Sequence, residues 1–220
     1  FARENIVVYS LSTNPEENAI LNTLENTGTF APHSVVPFGN TDGFYLHDTG
    51  VRSIRSRDGT NAAYVSDVGS AIDPFIQDII AEVGESAAAR AKAIIDPRDG
   101  RYLLGIGRYI LALSYFPEVK ITAWSYLDLG YPVDHMVRSG RDMYLRSGDT
   151  IYKYGGVSGN VYPDDDEFVA VAETPFMDAR DPAARKLLEG FDMALSGEWL
   201  VDVLVDPNDT ASYVRVGMLS

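Results

Sequence analysis

Asp48-Thr49-Gly50 is the tripeptide that aspartic proteases place at their catalytic centre. That chemistry needs two facing carboxylates sharing one proton, so a single copy would work only across a homodimer. The same three residues also make a hairpin turn between the strand-like runs 44–46 and 51–55, and the turn is the expected reading. Ser56-Arg57-Asp58-Gly59-Thr60 faintly resembles the Asp-box of sialidase propellers, but the spacing differs and the aromatic residue is missing, so it too reads as a turn. Gly105-Ile106-Gly107 lacks both the third glycine and the following helix that a nucleotide loop requires. His33, His47 and His135 are scattered, with no i, i+4 pair and no carboxylate at metal-ligand spacing. Asp164-Asp165-Asp166-Glu167 offers the oxygen ligands that Ca²⁺ prefers, without the regular spacing of a calcium loop, and is expected to be a solvated loop. Asn208-Asp209-Thr210 fits a glycosylation sequon, at a frequency chance explains.

Arg52, Arg55 and Arg57 form the densest basic patch. On a strand, Arg55 and Arg57 share one face and Arg52 takes the other. They are expected at a solvated sheet edge or in salt bridges between subunits. No nucleophile, metal cluster or carboxylate pair stands out. The expectation is therefore a non-enzymatic protein with no catalytic, cofactor-binding or metal-ligating residues.

The whole chain bears on what such residues can do. Its 220 residues carry 18 Lys and Arg against 32 Asp and Glu, a net charge of −14. A chain this acidic does not grip a phosphate backbone, although it suits the wall of a passage through which nucleic acid slides. The absence of cysteine excludes disulfides, a thiolate nucleophile and Cys-ligated metal. With 45% hydrophobic residues there is enough apolar surface for one large all-β domain or two small ones. No apolar run approaches the roughly 20 residues of a membrane-spanning helix. The opening Phe1-Ala2-Arg3-Glu4-Asn5 lacks the apolar stretch of a signal peptide and runs straight into Ile6-Val7-Val8-Tyr9, which reads as part of a longer protein.

The elements that position these residues are short strands closed by turn chemistry. The clearest unit covers 91–126: a strand at 91–95, a turn at Asp96-Pro97-Arg98-Asp99-Gly100, strands at 102–106 and 109–115 around Gly107-Arg108, a turn at Phe116-Pro117-Glu118, and a strand at 121–126. Four consecutive strands with short turns make an up-and-down meander, the shape of one propeller blade. A second unit has strands at 133–138, 143–146 and 151–154; upstream, 35–38, 44–46 and 51–55 give three more. One helix interrupts them at about 74–83. Asp73 is its expected N-cap, Pro74 its first residue and Gly84 its end, with Phe75, Ile76, Ile79, Ile80 and Val83 on one face. Past Gly155-Gly156 the character changes, and strand-like runs at 168–172, 187–195, 199–205 and 214–218 predict a sheet unlike the preceding ones.

Asp96-Pro97-Arg98-Asp99-Gly100-Arg101-Tyr102-Leu103-Leu104, with Ser114-Tyr115-Phe116-Pro117 and Ile121-Thr122-Ala123-Trp124-Ser125 after it, resembles the blade signature of the tail nozzle proteins of short-tailed bacteriophages, also called hub, tubular tail or packaged-DNA stabilisation proteins. The run 143–156 and Val65-Ser66-Asp67-Val68-Gly69 are similar to theirs as well, so the likeness covers about residues 37–156 in order, and 157–220 only loosely. The resemblance implies a mostly β, partial β-propeller over 1–156 and a C-terminal β-sheet region, platform or further blade, over 157–220. It implies a structural virion protein of the phage tail, made in the host cytoplasm. By analogy it forms a homohexameric ring that meets tail tube, adaptor, fibre or needle proteins, extends the tail channel, retains packaged DNA and lets duplex DNA pass at ejection without specific binding. In that role Asp99-Gly100 makes the hairpin and Tyr102, Phe116 and Trp124 supply packing surface. The rival reading is a carbohydrate-binding or receptor-recognising propeller, which calls for paired carboxylates flanked by Trp; the chain has two Trp.

Overall fold

The computed structural model describes residues 1–39, 42–55, 67–96, 98–116, 121–155, 170–174, 176–177, 181, 187, 189–190, 192–194, 198–206, 208–209 and 211–219. The protein is mostly β, built of antiparallel sheets, and divides into two compact units, Phe1–Asp166 and Glu167–Ser220.

The first unit opens with a two-stranded hairpin, β1 (Asn5–Ser10) and β2 (Ala19–Glu25). A three-stranded meander follows: β3 (Val36–Phe38), β4 (Asp42–His47) and β5 (Gly50–Ser53). Helices α1 (Asp73–Val83) and α2 (Glu85–Ala88) lead into a four-stranded meander of β6 (Lys92–Ile95), β7 (Tyr102–Ile106), β8 (Tyr109–Phe116) and β9 (Ile121–Asp128). A third meander comprises β10 (His135–Ser139), β11 (Asp142–Ser147) and β12 (Thr150–Lys153). Each meander has its strands in chain order. The reason lies in the turns, since residues 48–49, 107–108, 140–141 and 148–149 each reverse the chain in two residues. Gly107, Gly140 and Gly148 take the first place in three of these with positive φ, the conformation that matches strand twist and that a Cβ disfavours.

The central meander is apolar on both faces, and period-2 alternation sorts its side chains. Tyr102, Leu104, Ile106, Leu111 and Leu113 pack against Phe44, Leu46 and Val51 of the β3–β5 sheet and against Ile76 and Ile79 of α1. Leu103, Ile110 and Ala112 face the other way and meet Met136, Met143 and Leu145 of the β10–β12 sheet. Tyr45, on the far side of β4, closes a smaller cluster with Ile6 and Leu24 of the first hairpin. The sheets are thus stacked face to face in chain order. Each fully buried Leu or Ile contributes about 1.5–3 kcal/mol, so the doubly covered β7 and β8 anchor the unit. Where neighbouring meanders come closest, their first strands lie side by side, β3 next to β6 and β6 next to β10.

Helix α1 has the expected face, with Ile76 and Ile79 buried and Phe75, Ile80 and Val83 packed around them. Its start differs from expectation. Ile72 holds the cap position without a side-chain bond, and Asp73 is the first helical residue because its carboxylate is turned to Arg52. Gly84, with φ 79°, ends the helix as expected. Strand β10 begins at His135 rather than 133, since the Val133 N–H bonds to the Gly107 carbonyl in the approach to it. Strand β5 stops at Ser53 rather than 55.

The second unit contains β13 (Trp199–Leu204) and β14 (Tyr213–Leu219), an antiparallel hairpin with a bulge between Val201 and Asp202. Asp202 and Arg215 pair across it at 2.9 Å, which holds the carboxyl of Asp202 below its ordinary range. The described residues of the expected runs 168–172 and 187–195 are not strand.

Candidate functional site: an arginine-tied hairpin and a basic cleft

Asp48-Thr49-Gly50 is the β4–β5 turn, with His47 paired to Gly50. The exposed Asp48 carboxylate accepts from Arg3 Nε at 3.2 Å, and Arg3 reaches on to Glu85 at 2.6 Å. A protease dyad needs that carboxylate to face another carboxylate, whereas here it faces a cation. The turn is held from behind. Arg52 Nη1 and Nη2 each lie 2.8 Å from the two carboxylate oxygens of Asp73, and also donate to the Val51 carbonyl at 2.9 Å and the Thr49 hydroxyl at 2.7 Å.

Arg52 is therefore not at a solvated edge or between subunits. Its side chain is 7% exposed, and it ties the hairpin to the start of α1 inside the unit. Alternation alone put it opposite Arg55, and what fills the covered face is a tertiary matter. Arg55 is exposed, and Arg57 lies outside the described residues, as does the 56–60 segment. Gly50 is required at this junction, because a Cβ there would sit 1.9 Å from Asp73 Oδ1.

The β6–β7 turn works in a comparable way. Asp96 is fully buried and accepts from the Arg98 backbone N–H at 3.0 Å and from Arg101 Nη2 at 3.2 Å. Arg98 then leans over the Tyr154 ring and donates to the Tyr154 carbonyl at 3.3 Å, which fastens the turn of one meander to the end of the next. Tyr102 is buried completely, and burial pushes its phenol far above the usual tyrosine range. Trp124 is half-buried and donates from Nε1 to the Val68 carbonyl at 2.8 Å. The side chain of Phe116 and residues 117–118 lie outside the described set.

Gly105 and Gly107 stand where a side chain would meet its neighbours. A Cβ on Gly105 would stand 3.3 Å from Val133, and one on Gly107 would stand 2.6 Å from Val83. His33 and His135 are exposed and His47 bonds to Thr49 within its own turn, so the three histidines do not converge. Among the described residues no cluster of His, Cys, Asp or Glu has the geometry to hold a metal ion, and no helix is long and apolar enough to cross a membrane. Residues 164–167 lie outside the described residues, and so does Thr210 of the sequon; Asn208 and Asp209 sit in the β13–β14 connection.

One feature has no counterpart in the sequence reading. A cleft of about 170 Å³ opens at the ends of β7 and β11, lined by Arg90, Lys92, Asp134 and Arg146 beside Gly105 and Gly107. Three cations from positions 90, 92 and 146 meet there only because β6, which carries Lys92, neighbours β10. Nothing in their spacing along the chain signals it.

Compared with known proteins, the chain matches no family model, no curated protein and no solved structure.

Proposed function

We propose that the chain is a structural part of a short-tailed phage tail, of the tail nozzle kind, with no enzymatic role. The observation that carries this reading is the stack of antiparallel meanders in chain order, the central one covered on both faces, with first strands side by side. Blades arranged around a propeller axis have this local geometry, so the first unit is read as a propeller sector. The residues that carry the resemblance support it by their work in the stack: Tyr102 and Trp124 fill the interface, and Arg98, paired with Asp96 in its own turn, fastens adjacent sheets. The open face of the β10–β12 sheet bears Val137 and Ile151, 50% and 70% exposed, as a sheet awaiting a neighbour would.

In this role the full-length protein forms a ring, homohexameric by analogy, that meets tail tube or adaptor proteins on one side and fibre or needle proteins on the other. Duplex DNA passes through without specific binding, since a wall with the charge of this chain, −14, repels it and keeps it centred. Light scattering and particle imaging of the full-length protein with its tail-tube partner test the proposal, and a closed ring is expected. A protein that stays monomeric under all those conditions refutes it. The rival glycan-binding reading asks for a Trp beside paired carboxylates. Trp124 instead has its indole N–H bound within the stack.

A further inference from the structure

The cleft at the ends of β7 and β11 is unusual in its charge. In a chain of net −14, Arg3, Arg52, Arg98, Arg101 and Arg108 have carboxylate partners, whereas Arg55, Arg138 and Arg141 make no ion pair among the described residues and stand apart on the exposed surface. Arg90, Lys92 and Arg146 make no ion pair or side-chain hydrogen bond among the described residues, yet they line one cavity. The one acid on its wall, Asp134, has a carboxylate oxygen 2.7 Å from the Gly148 N–H and is held toward the β11–β12 turn. Three like charges around one opening repel each other, and an acidic chain has ample carboxylates with which to neutralise them. Their unpaired convergence is what a site for an external anion requires.

The cavity has a structural cause. Lys92 on β6 is directly opposite Gly105 on β7, which offers no side chain to cover it, and Gly107 leaves the floor open at the following turn. Partial burial of Lys92 beside the cleft lowers its ammonium pKa from the ordinary value. A volume of about 170 Å³ admits one phosphate- or carboxylate-sized group with its first waters, and nothing as wide as a duplex. Guanidinium groups suit either oxyanion, because their paired N–H donors match two oxygens of one group.

We propose that this cleft is an oxyanion-binding site, in which Arg90 and Arg146 grip and Lys92 neutralises one phosphate or carboxylate group. The proposal is independent of the tail-nozzle reading. Titration calorimetry on the whole chain at constant ionic strength tests it, with inorganic phosphate in one arm and a tri-aspartate peptide in the other, against chloride as background. Saturable binding of at least one probe is expected, weakened tenfold or more in Arg90→Gln/Arg146→Gln and several-fold in Lys92→Gln. The tighter arm identifies the source as a phosphate compound or an acidic protein segment. All three side chains are exposed or half-exposed, so the variants keep the parent's circular dichroism and melting temperature. Absence of saturable binding in both arms overturns the proposal, and so does binding that the double variant retains in full.

Discussion

Replacing Asp73 by asparagine removes the charge that two Arg52 nitrogens contact at 2.8 Å while leaving volume and helix position nearly unchanged. The guanidinium, 7% exposed, then keeps only neutral acceptors, the Val51 carbonyl, the Thr49 hydroxyl and the one amide oxygen of the asparagine, while the amide nitrogen faces it as a second donor. Its Nε is already buried without a partner. Breaking a buried pair from one side costs about 3–5 kcal/mol, and because Asp73 is 21% exposed the low end applies, about 3 kcal/mol. The reverse substitution is milder. Arg52→Met leaves Asp73 in contact with water and at the first position of α1, where the helix dipole favours a carboxylate by about 0.3–1 kcal/mol, so a loss of about 1–2 kcal/mol is expected. Arg52→Met/Asp73→Leu, which removes both charges, costs less than Asp73→Asn alone. Urea unfolding followed by tryptophan fluorescence measures all three. The reasoning fails if Asp73→Asn lies within about 1 kcal/mol of the parent, or if Arg52→Met is the more damaging change.

Gly107→Ala forces a Cβ into positive φ and to within 2.6 Å of Val83 Cγ1, whereas Gly140→Ala meets nothing within 4 Å. Thermal melting is expected to show a loss of about 2–4 kcal/mol for the first and about 1 kcal/mol for the second. Trp124→Phe orphans the Val68 carbonyl and thins the inter-sheet contact, with an expected loss of about 1–3 kcal/mol in urea. Burial keeps Tyr102 protonated in the fold while the unfolded chain releases that proton near pH 10, so this stability is complete below about pH 10 and falls as pH rises. Tyrosinate absorbance is expected to show the Tyr102 phenol titrating only with unfolding, so that Tyr102→Phe loses one phenol's amplitude from the step that accompanies unfolding. The isolated chain is expected to show no affinity for duplex DNA in a salt titration at physiological ionic strength; salt-dependent binding at about micromolar affinity or tighter would refute the repelling-wall argument.

Much of the fold was legible because its signals are local. The four strands between 92 and 128 follow from alternation bounded by Asp99-Gly100 and Gly107-Arg108, and the face of α1 from the spacing of Ile76, Ile79 and Val83. The β4–β5 turn came from Asp48-Thr49-Gly50 because a two-residue reversal needs little beyond its own residues. β2 was missed. Its seven residues are almost all exposed, so burial imposed no alternation to read, and pairing with β1 made the strand.

What the sequence could not contain was the meaning of its charges. Arg52 and Asp73 are 21 residues apart, Arg98 and Tyr154 are 56 apart, and Arg90 and Arg146 are likewise 56 apart. In each case the outcome depends on which sheet lies against which. A period-2 pattern says that a side chain leaves one face of a strand; it does not say what waits there. So the sequence decided strands, turns and the apolar faces, through sterics and hydrophobicity that act over a few residues. The stacking order decided the rest: it buried one arginine against a helix start, tied another to a neighbouring sheet, and left three cations together around an open cleft.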